Sequence, residues 1–204
     1  MKKLALFVVF TLVTLMASAQ TQVNWSVKFG LGFSNWMGDG SEDAKAKFDY
    51  KIGVGAEIPI NGFWSFQTGL NWVTKGVKGD DSGIDITVNQ KYLELPLMAA
   101  LHLGTENSFD VVLKAGPYLA YGIGGKIKGE SSGVETSFDT FGKASINGVE
   151  FPGLRRFDAG LGFGVDFDFR KWVIGVDSQL GLTKLQEGDA PRNISFFVTA
   201  GYKF

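Results

Sequence analysis

The chain has 204 residues, with 20 basic and 21 acidic side chains, one histidine and no cysteine. Without cysteine, disulfides, thiol chemistry and lipid attachment at a cysteine are excluded. The near-neutral charge, free of any basic block, argues against nucleic acid as a partner.

The first twenty residues, MKKLALFVVFTLVTLMASAQ, give basic Lys2 and Lys3, an apolar run from Leu4 to Met16, and the small-residue site Ala17-Ser18-Ala19. That pattern predicts a secretory signal peptide over residues 1–19, cleaved before Gln20. The apolar run is too short to span about 30 Å of hydrocarbon as an anchor helix. The mature domain is expected over 20–204, with 18 basic against 21 acidic residues once Lys2 and Lys3 are removed. No later segment offers eighteen uncharged apolar residues, so a membrane protein of this sequence must be a barrel. The 28 glycines and 18 phenylalanines are an unusual pairing for a soluble core.

Eight runs of period-two alternation follow one another, and helical spacing is nearly absent. The first sets Val23, Trp25, Val27, Phe29, Leu31 and Phe33 against Asn24, Ser26, Lys28, Gly30 and Gly32. The second, Tyr50 to Ile60, ends at Asn61-Gly62, a strong hairpin signal. The third runs from Trp64 to Val73, the fourth from about Lys91 to Leu103, and the fifth from Phe109 to about Tyr121. FDAGLGFGVDFDF at 157–169 is the sixth, Trp172 to Leu182 the seventh, and Asn193 to Phe204 the eighth. Connections after runs two, four and six are short, whereas 34–49, 74–90, 122–155 and 183–192 are long. Strands of this length suit a tilted bilayer crossing better than a soluble sheet. The pattern predicts an all-β fold, an eight-stranded antiparallel up-and-down transmembrane β-barrel with short periplasmic turns and long extracellular loops.

Eight strands enclose an interior only just wide enough for side chains, so the bulky parity must face lipid and the glycine parity the lumen. In the sixth run, Gly160, Gly162 and Gly164 then point inward with Asp158 and Asp166. The expected lumen core is Lys28, Glu57, Gln67, Asn71, Glu94, Lys114, Asp158, Asp166, Asp177 and Gln179, joined on the same parity by Asp110 and Lys203. Buried charges are normally paired, with Lys28 and Lys114 set against Glu57, Glu94 and Asp177, so the lumen reads as a polar plug rather than an ion path. Trp25, Trp64, Trp72, Tyr121, Trp172, Tyr202 and Phe204 fall near strand ends on the outward parity, where an aromatic girdle would lie. If Thr105 pairs opposite Phe109, Pro96 and Pro117 come to nearly the same height on adjacent strands, and a bulge or gap in pairing is expected there. The rival architecture is a secreted lipocalin-like binder of an apolar ligand, which needs the opposite orientation of the two faces.

Catalytic chemistry is sparse. His102 stands alone, with no second His or Cys to complete a transition-metal site, and the strand register implies no serine beside it for a Ser-His-Asp arrangement. GIGGKIKG lacks the context of a phosphate-binding loop. GDDSGID at 79–85 lacks calcium-loop spacing and reads as a solvated loop. No cofactor or metal is expected. Segment 122–155, with apolar Phe138, Phe141, Val149 and Phe151, is either functional or folded back on the barrel.

YLELPL at 92–97, AGPYLAYGIGGK at 115–126, RFDAGLGFGV at 156–165 and the terminal GYKF together resemble the PorT-like outer-membrane β-barrel family over essentially the whole mature chain. The resemblance implies an OmpA/OmpX-like eight-stranded barrel inserted by the outer-membrane assembly machinery. Phe196, Val198, Ala200, Tyr202 and Phe204 are similar to the insertion signal of such barrels. It implies no enzyme, and most members of that family have no assigned task. The expectation is a monomeric integral outer-membrane barrel with a structural or surface-interaction role, its partners being outer-membrane lipid and whatever meets the long loops. A narrow pore, or a component associated with protein secretion, is the alternative. A lipid-modifying enzyme is a third and weaker one.

Overall fold

The computed structural model describes residues 23–81, 84–104, 109–131, 134–142, 144–146, 149–151 and 153–204. The expected signal peptide and the 105–108 turn lie outside them. The strands are β1 (Asn24–Met37), β2 (Lys47–Pro59), β3 (Trp64–Asp81), β4 (Ile84–Gly104), β5 (Asp110–Gly124), β6 (Lys126–Ser131), β7 (Val134–Asp139), β8 (Ala144–Ile146), β9 (Val149–Phe151), β10 (Phe157–Phe169), β11 (Trp172–Gly181) and β12 (Arg192–Lys203). Antiparallel pairing runs β3-β2-β1-β12-β11-β10-β5-β4, and β3 also pairs with β4. That last pairing closes an eight-stranded barrel and leaves no free edge within the wall.

Each stave corresponds to one of the eight alternating runs. Along β10, Phe157, Phe163, Phe167 and Phe169 are exposed on the outer face, while Asp158, Gly160, Gly162 and Asp166 are buried. The glycines are needed for side chains that cross the lumen. A Cβ at Gly164 would fall 2.7 Å from Asp177 Oδ1 and against Lys114 Cε, and one at Gly160 would fall 2.8 Å from Tyr118 Cε1. At one end the connections are tight. The Asn61 side chain accepts from Phe63 N and Trp64 N, each at 2.9 Å, to shape the β2–β3 turn. Arg170 takes a positive φ of 64° in the two-residue β10–β11 turn, a conformation hairpin loops of this length require.

The opposite end departs from the expected long loops. Residues 74–90 are not a loop: β3 and β4 stay paired up to Asp81–Ile84 and project beyond the barrel as a hairpin. The alternation there is broken because charged residues and glycines fall on both parities once the wall has left the apolar belt. Segment 122–155 likewise contains the β6–β7 hairpin, which extends the sheet from the projecting part of β4, and the separate pair β8–β9. Gly76 takes a φ of 151°, and its N–H donates to Ser34 Oγ at 2.7 Å. The chain then folds back over the mouth. Phe141, Leu154 and Leu185 pack with Val77, Val88, Tyr92, Tyr118 and Ala120 in an apolar cap, with Trp36 and Ile127 at its edge. Thr140 Oγ1 donates to the Asn89 carbonyl at 2.6 Å and fixes that fold-back. Phe138 is half-buried, while the side chains of Val149 and Phe151 lie outside the described ones.

The β4–β5 ladder keeps the expected register, from Gly104–Asp110 down to Leu93–Tyr121. It is interrupted between Pro96–Tyr118 and Ala99–Ala115, where the two prolines fall. On the other side of β4, Thr68 Oγ1 donates to the Pro96 carbonyl at 2.8 Å and satisfies that acceptor at the gap.

Candidate functional site

The interior is a stack of ion-pair networks, and strand parity is what delivers their members to it. At mid-height, Asp166 on β10 accepts from Lys28 at 2.9 Å and from Lys114 at 2.7 Å. Lys114 also reaches Asp177 at 2.7 Å, and Lys51 pairs with Asp177 from the opposite wall. Five side chains from β1, β2, β5, β10 and β11 are thus tied across the lumen. Lys28 and Lys114 were expected to oppose Glu57, Glu94 and Asp177; here Lys114 meets Asp177, Lys28 meets Asp166, Glu57 lies against Lys203 and Glu94 against Lys75. The face of each charge was readable; its partner, from a strand far away in sequence, was not.

Nearer the capped end lies a second network around Lys75, which is fully buried. Its ammonium sits 3.3 Å from Glu94 and 3.4 Å from Asp158, and 4.2 Å from the centroid of the Tyr118 ring. Gln179 donates to Glu94 at 2.7 Å, while Thr183 and Asn193 donate to Asp158 at 2.7 and 3.2 Å. Lys75 falls in the segment read as a loop, so it was missed. Two fully buried carboxylates nonetheless call for a cation nearby. Lys47, also unanticipated, pairs with Asp49 inside the mouth.

At the short-turn end, Lys203 bridges Glu57, at 3.1 Å, and Asp168. His102 Nδ1 lies 2.6 Å from Asp110 Oδ2, and its Nε2 lies 2.8 Å from Ser65 Oγ. The expectation that no serine stands beside His102 is therefore wrong. Ser65 pairs with Ala100, and a residue two positions along on the neighbouring strand is a diagonal neighbour on the same face. The arrangement still differs from a nucleophile relay. Glu57 Oε1 sits 2.8 Å from the same Nε2 and accepts from Ser65 Oγ at 2.7 Å. The Ser65 hydroxyl is thus directed at the Glu57 carboxylate, whereas in a nucleophile relay it would donate to the imidazole Nε2. Ser65 is also buried.

Gln67 and Asn71 line a central cavity of about 80 Å³ bounded by these networks. It has room for a few waters and polar partners to hold them. On the outside, Trp25, Trp64, Trp172 and Phe204 are exposed around the short-turn end, with Tyr202 half-buried against Trp172 at 5.1 Å between ring centroids. Trp72 and Tyr121 are exposed toward the long-loop end. Phe196, Val198 and Phe204 are exposed on the outward parity of the last strand. The acidic 79–85 stretch forms the tip of the β3–β4 hairpin, with Ser82 and Gly83 outside the described residues. Among the described residues no group of three His, Cys, Asp or Glu side chains is placed to hold a metal ion.

A closed barrel with an apolar belt outside and paired charges inside has the architecture of an outer-membrane protein, and the family comparison agrees. Residues 18–187 match the model of the outer membrane protein beta-barrel domain. The chain belongs to that family. It is an integral outer-membrane β-barrel, and the lipocalin-like reading fails because the bulky parity faces outward. No curated protein matches the chain. Among solved structures, the outer membrane protein OprG of Pseudomonas aeruginosa is 14% identical, with 90% of this chain and 97% of that one covered and a TM-score of 0.51. A major outer membrane protein of Thermus thermophilus is also 14% identical, over 90% and 100%, with a TM-score of 0.50. The attachment invasion locus protein Ail of Yersinia pestis is 17% identical over 90% and 99%, at 0.44. At these identities the likeness to OprG and to the Thermus thermophilus protein speaks to the fold alone.

Proposed function

We propose that the protein is a monomeric, sealed outer-membrane barrel whose work is done by its long-loop end at the cell surface, in a structural or surface-interaction role. One observation carries this reading: the lumen is occupied at successive heights by the Lys203, Lys114 and Lys75 networks and then covered by the Phe141 cap. A side-chain-filled barrel of eight strands leaves the loops and the outer wall as the surfaces able to meet a partner. The short turns then face the periplasm and the projecting β3–β4 and β6–β7 hairpins face outward, the usual sidedness of such barrels.

In this reading residues 1–19 are a cleaved export signal and residues 20–204 form the barrel. The outward aromatics Trp25, Trp64, Trp72, Tyr121, Trp172, Tyr202 and Phe204 act as interfacial anchors. The terminal Phe196, Val198, Ala200, Tyr202 and Phe204 engage the assembly machinery during insertion. Membership of the PorT-like group rests on the YLELPL and AGPY segments, and the sealed lumen speaks against carrying a conducting role over from any relative.

The native lack of cysteine makes sidedness directly testable. An Asp189→Cys variant places a thiol in an exposed long-loop segment, and an Asn61→Cys variant places one in a short turn. In intact cells a membrane-impermeant maleimide should label the first and spare the second. The reverse pattern would overturn the orientation.

A further inference from the structure

Lys75, Glu94 and Asp158 come from β3, β4 and β10 and meet toward the capped end of the lumen, all three without exposed surface. The Lys75 nitrogen stands 3.4 Å from Asp158 Oδ2 and 3.3 Å from Glu94 Oε2, so one amine and two carboxyl groups share a dry site. The Tyr118 and Tyr92 rings wall it in, with centroids 4.2 and 5.6 Å from that nitrogen, and Phe141 of the cap packs edge-on against Tyr92. The charges there do not balance, because one ammonium faces two carboxylates. A surplus buried charge is costly, and one proton held by the two carboxyl groups removes it. Within a buried ion pair a proton can also pass from the ammonium to a carboxylate, which leaves a neutral amine beside a neutral acid and separates no charge. The site therefore holds the parts of an amide-forming reaction: a nucleophilic amine, an electrophilic carboxyl and an acid to carry protons.

The hydrogen bonds assign the parts. Asp158 is the carboxyl rich in donors: Thr183 Oγ1 donates to its Oδ1 at 2.7 Å, and Asn193 Nδ2 and the Tyr118 hydroxyl donate to its Oδ2 at 3.2 and 3.3 Å. Such donors polarise the carbonyl and hold the oxyanion that forms when an amine adds to Cγ. Glu94 is the proton carrier. Gln179 fixes its Oε1 at 2.7 Å, while its Oε2, beside the Lys75 nitrogen, has no hydrogen bond among the described residues. The mid-height network has a different composition: Lys28, Lys51 and Lys114 outnumber Asp166 and Asp177, so no carboxyl is left over to carry a proton.

We propose that Lys75 and Asp158 condense to an isopeptide bond in the folded barrel, with Glu94 moving the protons. The Lys75 Nζ–Asp158 Cγ bond forms and the Cγ–Oδ2 bond breaks. One ammonium proton stays on the amide nitrogen, and the other two pass through Glu94 to Oδ2, which departs as water. Ammonium and carboxylate thus become amide and water with no oxidant or co-reactant. The central cavity, which Glu94 and Tyr118 also line, can receive the water. The bond joins residues 83 apart in sequence and ties β3 to β10 through the lumen, a covalent staple in a chain without cysteine.

The test is the intact mass of the chain, measured by mass spectrometry on the same preparation unfolded in urea and again after folding into detergent or lipid. Folded wild type should be lighter than the unfolded chain by one water, and its proteolytic digest should contain a branched peptide joining the Lys75 and Asp158 segments. Lys75→Arg keeps a positive charge but offers no amine to acylate, and Glu94→Gln keeps the side-chain shape without the carrier. Both should stay at full mass, with folding verified by the heat-dependent gel shift. Where a variant does not fold, the branched peptide in wild type still decides. Folded wild type at full mass would overturn the proposal, as would a water loss that persists in Lys75→Arg, the sign of an aspartate cyclising elsewhere. Conversion of Glu94→Gln at the wild-type rate would overturn the role given to Glu94.

Discussion

Lys114 and Phe141 close the same lumen at two heights by opposite means. Around Lys114 the filling is ionic, held by carboxylates from β10 and β11 and made room for by Gly164. Around Phe141 it is apolar, supplied by chain that folds back onto Tyr92 and Tyr118. The difference follows from where each part of the wall stands. Within the belt the outer face must be apolar, so the inner parity is the one place left for polar groups. These must then satisfy one another, because removing one partner of a buried pair leaves an uncompensated charge. Beyond the belt both faces of β3 and β4 meet water or loop, and the mouth can be closed by ordinary hydrophobic burial.

This contrast can be broken experimentally, and the largest effect is expected at Lys75. Lys75→Met strands Glu94 and Asp158 in the interior and should lower unfolding stability in lipid vesicles by about 3–5 kcal/mol. A change below about 1 kcal/mol would mean that water already reaches those carboxylates. Phe141→Ala removes the centre of the cap and should cost about 3 kcal/mol, at the low end for a buried aromatic because a surface loop can settle into the space. Phe163→Arg on the outer face at mid-strand should cost about 2–4 kcal/mol when folding is measured in a bilayer. A neutral outcome there would place Phe163 away from lipid. Gly164→Ala should cost about 1–3 kcal/mol by crowding Lys114 against Asp177. The exposed Arg155–Glu187 pair, at 3.3 Å, is the small end of the scale, and Glu187→Gln should change stability by less than about 0.5 kcal/mol.

The sequence displayed most of the barrel because lipid imposes a strict alternation on each stave. FDAGLGFGVDFDF shows its two faces without ambiguity, and the β4–β5 register could be set from the position of the turn. Where lipid contact ends, that constraint ends too. KGVKGDDSGIDITVN puts charges and glycines on both parities, so β3 and β4 looked as if they stopped some eight residues early, and Lys75 went unnoticed with them. The lumen partners were hidden for another reason. Lys28 and Asp166 meet across 138 residues, and nothing local in either strand marks the other. Ser65 and His102 were missed although they are diagonal neighbours on adjacent strands, a contact that pairing β3 with β4 residue by residue would have exposed.

The most direct test of the proposal that the lumen is sealed is single-channel recording of the purified protein in a planar bilayer. Wild type should show no discrete conductance, and Phe141→Ala should also stay silent because the Lys75 and Lys114 networks remain beneath the missing cap. Stable unitary currents from the wild-type barrel would contradict the account and make the lumen a pore.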